Sequence, residues 1–427
     1  DLTKENLTLL LVDQLKIHSV ETAAVVLEKE SYSPLFRSLA LLIALDDLLS
    51  ARPNATIHSR LDKLFFVKES QGRPLVADSM PSTTWPDLLD AYYWSTEILN
   101  LRQVLAKGLK QIASASLADP SGLSPLLELW NEKRVNRLEY YLAALTRLLE
   151  HGQLLPRPEQ DLPSLFGNAV HRLRTRIRLL GDEIQRQLDS LNRAFQQLVA
   201  AQYPCWVEEK AGASSSLILT SQFIRRCLKP HWDPLKEKAA LLIFDGMRYD
   251  IWDELLRPLL QDRLEFVAEY PGCSILPSET QLTRKAISAG LFPNGFDSNA
   301  AEDRLLKESL SREFGIQEEV KVITPEGSGT GETVRYRAGN LDVYIFELCD
   351  KELHHIKIKK LPDGREVPSR PLSFVYELNI KNIIDTEVMS VVRALTPGTK
   401  VFITADHGFG RVGREALWFQ DSNLNDR

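Results

Sequence analysis

Cysteine is scarce in this chain, four in 427 residues, and none of the four sits in a C-x-x-C pair. So few thiols at such spacing exclude a disulfide-framed secreted scaffold. Cys205, Cys227, Cys273 and Cys349 read instead as reduced thiols of a cytoplasmic protein. Long apolar runs are missing too. LALLIAL and AALLIF are core-sized, well short of the roughly 18 residues a membrane helix needs, so no membrane contact is expected. Nor is positive charge in excess. The net charge of −6 argues against a general polyanion binder and leaves only local basic surfaces open. No internal repeat and no low-complexity tract is present.

What remains is ordinary soluble globular composition, 44% hydrophobic and 26% charged, long enough for two or three domains. The chain starts at Asp1 without a signal-peptide pattern and is read as a piece of a longer protein. Residues 1–203 read as helix almost throughout and are expected to form an interaction domain, with joints near 51–56, 78–86 and 118–125. Val135, Leu138, Leu142, Leu145 and Leu149 make one apolar stripe at helical spacing. From Ser164 to Gln202 the pattern predicts one long helix, with Gly181 as its weak point. Four arginines there, Arg172, Arg174, Arg176 and Arg178, have no acid between them. They fan over more than one face and Asp182 and Glu183 follow, so an ion-paired solvated helix is expected rather than a phosphate grip.

Residues 204–237 read as a linker or edge segment, and beyond them strands alternate with helices. LLIFDG, LDVYIFEL and KVFITADHG are near-continuous apolar runs, which predict a mostly parallel sheet with helices on both faces. Such sheets bind ligands at the carboxyl ends of their strands, and these three runs lead into Asp245, Asp350 and Asp406. Asp245, Asp406 and His407 offer oxygen and nitrogen ligands for one divalent cation; Asp350 and His354, four apart, offer a second set. The donor types suit zinc, with manganese or magnesium as alternatives. In SILPSETQLTRKAISAGLFPNG a hydroxyl just before a helix would meet free backbone N–H groups, and Ser278, Thr280 and Thr283 are all candidates. A plain capping role fits Ser278 best. GSGTGET, Gly327 to Thr333, lacks the lysine of a P-loop and reads as a flexible turn.

Taken in order, FDG, PSETQLTRKAISAGLFP, DKELH and TADHG resemble the alkaline phosphatase superfamily. The wording LLIFDGMRYD, LPSETQLTRKA and ITADHGFG is similar to its PglZ branch, the phosphatase-like proteins of BREX phage-defence systems. The resemblance implies an alkaline-phosphatase-like domain over residues 238–427, cut short at its C-terminus. It implies Thr280 as nucleophile, and it places Thr283 where the family has a phosphate-holding asparagine, with Arg248 or Arg284 as substitute donors. It also implies two zinc ions: Asp245, Thr280, Asp406 and His407 would hold one, Asp350 and His354 the other. A further family histidine, downstream of the DHG motif, has no counterpart after His407 in this chain. The implied function is a phosphatase or phosphodiesterase acting on nucleotides or nucleic acid in antiviral defence. Its expected partners are other BREX proteins and DNA or nucleotides. The alternative is a non-catalytic phosphatase-fold scaffold that docks other defence proteins.

Overall fold

Apolar spacing organises the first half of the chain. The computed structural model describes residues 19–28, 34–68, 74–76, 86–114, 123–150, 164–208, 217–270, 272–323, 333–347, 358–360, 366–368 and 387–408. Helices α1 (Val20–Leu27), α2 (Pro34–Leu48), α3 (Ala55–Phe65), α4 (Pro86–Ser114), α5 (Leu138–Glu150) and α6 (Ser164–Val207) belong to the first of two compact units, which divide between Ser214 and Ser215. Ser19 and Asn54 cap α1 and α3 by accepting the backbone N–H groups of Thr22 and Ile57. Val135, Leu138 and Leu145 are buried as their stripe requires, and Tyr141 is fully buried between them. A buried hydroxyl needs a partner, and Tyr92 on α4 finds His58 Nδ1 on α3 at 2.7 Å; the other ring nitrogen reaches Asp47 Oδ2 at 2.9 Å.

Helix α6 runs unbroken for 44 residues. Gly181 does not break it, and a Cβ there would meet nothing. Leu173, Ile177, Leu180, Ile184, Leu188 and Leu191 form its buried stripe. Arg172 and Arg176 both clamp Asp46 of α2, at 3.2 and 2.9 Å, and Arg102 of α4 pairs with Glu183 at 2.7 Å. The arginine run thus ties helices together within the unit. No described helix is long and apolar enough to cross a membrane.

The second unit carries a five-stranded sheet. Its strands are β1 (Ala239–Phe244), β2 (Lys321–Ile323), β3 (Thr333–Ala338), β4 (Leu341–Phe346) and β5 (Lys400–Ala405), in the spatial order β5-β1-β4-β3-β2. The three strands read from the sequence are parallel neighbours. Strand β3 runs against them and β2, paired antiparallel to β3, runs with them, so the sheet is mixed and parallel pairing is confined to one half of it. The cause is a hairpin: Gly339 and Asn340 alone join β3 to β4, and Gly339 takes a φ of 55°, open to glycine at no steric cost. A two-residue loop can only return the chain antiparallel.

Successive residues of β1 point to opposite faces, and all six are buried, so the sheet is covered on both sides. Helices α7 (Thr280–Ala289) and α8 (Glu302–Phe314) contribute Ile287, Leu306 and Leu310 to the core formed with Leu241, Ile243, Val343 and Ile345. Phe223, Ile224, Leu228 and Trp232 belong to the same core. Register decides where the chemistry falls. Ala405 is level with Phe244, and Phe244 with Phe346, so three adjacent parallel strands end in one row.

Candidate metal centre

The residue after each strand in that row is acidic. Asp245 follows β1, Asp406 follows β5, and Glu347 follows β4. The ladder runs one step past the strands, with the Asp245 N–H donating to Phe346 O at 2.9 Å and the Asp406 N–H to Phe244 O at 3.3 Å. The two aspartates therefore stand side by side on neighbouring strand ends. Gly246, at a φ of 74° that L side chains avoid, turns the chain so that its N–H donates to Asp406 Oδ1 at 3.1 Å. The His407 N–H donates to the same oxygen at 2.6 Å. Asp406 Oδ2 is buried and has no hydrogen-bond partner. A carboxylate oxygen stranded in this way is costly unless a cation faces it.

His407 gives the cluster its direction. Its Nδ1–H donates to Gly408 O at 2.7 Å, which turns Nε2 inward. Around Nε2 lie Thr280 Oγ1 at 2.8 Å, Asp245 Oδ1 at 3.4 Å and Asp406 Oδ2 at 3.8 Å. A nucleophile–base–acid relay would use the two imidazole nitrogens for different partners. Here hydroxyl and carboxylates all face one nitrogen, which is the convergence a coordinated cation requires. The ligand atoms of Asp245, Asp406 and His407 lie within 4.8 Å of one another, so the residues fit a divalent ion.

The charges agree with that reading. Burial, then the neighbouring Asp245 carboxylate, pushes Asp406 up to about 7. The hydrogen bond to Asp245 raises His407 to about 9 against the pull of burial. Both shifts are upward, so the folded metal-free protein holds protons that the unfolded chain has released. Their stabilisation is complete below the unfolded values, 3.8 and 6.5, and is lost as pH rises through about 7 and about 9. Metal-free protein should therefore melt at lower temperature as pH rises across this window, less steeply in Asp406→Asn. Added zinc should raise the melting temperature more at the alkaline end, because the ion displaces these protons. Differential scanning fluorimetry reads both; a zinc shift that does not change with pH counts against the cluster as the binding site.

Thr280 opens α7 and sits 3.4 Å from Asp245 Oδ1. Glu279, not Ser278, takes the cap position, so the cap expected of Ser278 lies one residue further on and is made without a side-chain bond. Arg284 follows Thr280 by one helical turn on the same face. It is not a free phosphate donor: Nη1 donates to Asp245 Oδ2 at 3.2 Å and Glu347 Oε1 at 3.0 Å, and Nε to Glu302 Oε1 at 2.7 Å. Burial pulls its pKa down, but Glu302 first, then Asp245 and Glu347, more than offset that and hold it above the ordinary arginine value. Arg248 is likewise engaged, gripping both oxygens of Asp250 at 3.1 and 3.2 Å. Thr283 is fully buried and its hydroxyl donates to Glu279 O at 2.7 Å, which leaves no proton for a phosphate oxygen. Asp350 and His354 lie outside the described residues. Sequence reading missed Glu347 and Glu302. The first had a signal, an acid directly after the apolar run LDVYIF; the second, at the start of α8, had none.

Residues 223–331 match the family model of the BREX system PglZ alkaline phosphatase-like domain. This segment is similar to the PglZ domain family. The PglZ match takes in Asp245, Thr280, Arg284 and Glu302, and it stops before β5, which delivers Asp406 and His407. No curated protein matches the chain.

Proposed function

We propose that this chain is a metal-dependent phosphoric ester hydrolase, a phosphatase or phosphodiesterase acting on nucleotides or nucleic acid in a BREX-type defence system. The observation that carries this reading is the convergence of Asp245, Asp406 and Thr280 on a single nitrogen of His407 at the carboxyl edge of parallel strands. Asp245, Asp406 and His407, with Thr280, would hold the ion, zinc before manganese or magnesium by donor type. Once bound, such an ion supplies the positive charge that phosphoryl transfer needs.

The chain itself supplies the rest. Thr280 Oγ1 attacks phosphorus, forming an O–P bond as the ester O–P bond breaks. The proton that Thr280 gives up passes through solvent to the departing alcohol. Backbone N–H groups of the first turn of α7 face the incoming phosphate oxygens. Water then cleaves the phosphothreonine and restores the hydroxyl. The helical unit is the surface proposed for other BREX proteins. Protein loaded with zinc or manganese should release nitrophenol from a bis-nitrophenyl phosphate diester, and a chelator should stop it. Release at the rate of buffer alone would end the enzymatic reading and leave the phosphatase-fold scaffold.

A further inference from the structure

Arg284 is ringed by acids from three separate elements. Its side chain is 18% exposed, and it is reached by Asp245 after β1, by Glu302 at the start of α8 and by Glu347 after β4. Asp245 and Glu302 are themselves only 5% and 10% exposed, and Glu302 Oε2 is buried without a hydrogen-bond partner. Stability explains little of this, because a buried charge cluster often does no better than apolar packing of the same volume. The two oxygens of Asp245 suggest another reason. Oδ1 faces His407 Nε2 and Thr280 Oγ1, whereas Oδ2 is held by Arg284 Nη1 at 3.2 Å.

We propose that Arg284 is a fixed internal cation, a positioning residue that makes Asp245 present Oδ1 alone to the metal centre and keeps a divalent ion out of the space between Asp245 Oδ2, Glu302 and Glu347. This rests on the metal reading of Asp245, Asp406 and His407. A guanidinium is well suited to that role, because it stays charged and its planar fork serves several acceptors in fixed directions. Glu302 contributes by holding Nε at 2.7 Å from the first turn of α8, where the helix dipole favours a carboxylate. Without the arginine, three carboxylates would face one another, and such an all-oxygen set is what manganese or magnesium binds.

The test is manganese stoichiometry on the full chain, by calorimetry and elemental analysis, with circular dichroism confirming fold. Arg284→Met should take up one more manganese ion per chain than wild type. Adding Glu302→Gln to Arg284→Met should remove that extra ion, and Arg284→Lys should not gain it. Equal uptake by wild type and folded Arg284→Met, or an extra ion that survives the double substitution, overturns the proposal. Should Arg284→Met fail to fold, a wild-type crystal soaked in manganese decides between the two sites. Its anomalous peak should lie on the Oδ1 side of Asp245 with Arg284 in place, and a peak among Asp245 Oδ2, Glu302 and Glu347 would refute the assignment. Wild type that binds no manganese while Arg284→Met gains an ion would defeat the underlying metal reading yet keep the internal cation.

Discussion

Thr280→Ala should cut diester turnover by about a thousandfold or more, since losing a nucleophile removes a group on which the whole covalent route depends. Metal content should barely change. The substitution takes away one hydroxyl, 2.8 Å from His407 Nε2, and leaves Asp245, Asp406 and His407 intact. Thr280→Ser keeps the oxygen at the start of α7 and should recover much of the rate. Parallel measurement of metal per chain and turnover on the same preparations separates this role from a structural one. Alanine and serine variants that both match wild type would show that attack comes from water and not from the protein. An alanine variant that has lost its metal would make Thr280 chiefly a ligand.

Asp406→Asn should bear on the metal itself, with affinity falling by about a hundredfold or more, beyond the 10–100-fold typical of groups that merely support a ligand. Asparagine keeps the shape, so Oδ1 can still accept the N–H groups of Gly246 and His407. It removes the charge on Oδ2, the oxygen without a hydrogen-bond partner. The same change should make the metal-free protein more stable at neutral pH, because a carboxylate raised to about 7 by burial and by Asp245 no longer has to ionise in place. Competition with a chromogenic chelator and a thermal melt, run side by side, check both halves. A variant weaker in metal and also less stable when metal-free would place Asp406 among the structural residues. Activity and stability are expected to pull in opposite directions here, as they do where a site stores unfavourable charge.

How far the sequence could be read depended on whether the signal was local. Helix α6 and strands β1, β4 and β5 show their period or their apolar run over many consecutive residues, and they occur where that pattern predicts them. Asp245 and Asp406 were legible because each follows such a run directly, with His407 next in the chain, at the edge where parallel strands present ligands. The mixed sheet was not, although Gly339-Asn340 between TVRYRA and LDVYIF is a hairpin signal of two residues, weaker than the apolar strand beside it. The arginines show the limit most clearly. Their charge marks Arg248 and Arg284 as phosphate donors, but whether a charge is already engaged depends on distant chain. Arg284 is claimed by Glu302, 18 residues on, and by Glu347, 63 residues on. No window of sequence contains that.

Strand β5 pairs only with β1 among the described residues, so half of the ligand set hangs from the margin of the sheet. In chain order, 160 residues separate Gly246 from the Asp406 carboxylate that it contacts. During synthesis the helical unit, Asp245, Thr280 and the Arg284 cage leave the ribosome first, and contacts of such long range are the slowest to form. The centre cannot exist until the edge strand docks. On the proposed metal reading, an ion captured there would fasten β5 to β1, tying chain made late to chain made early.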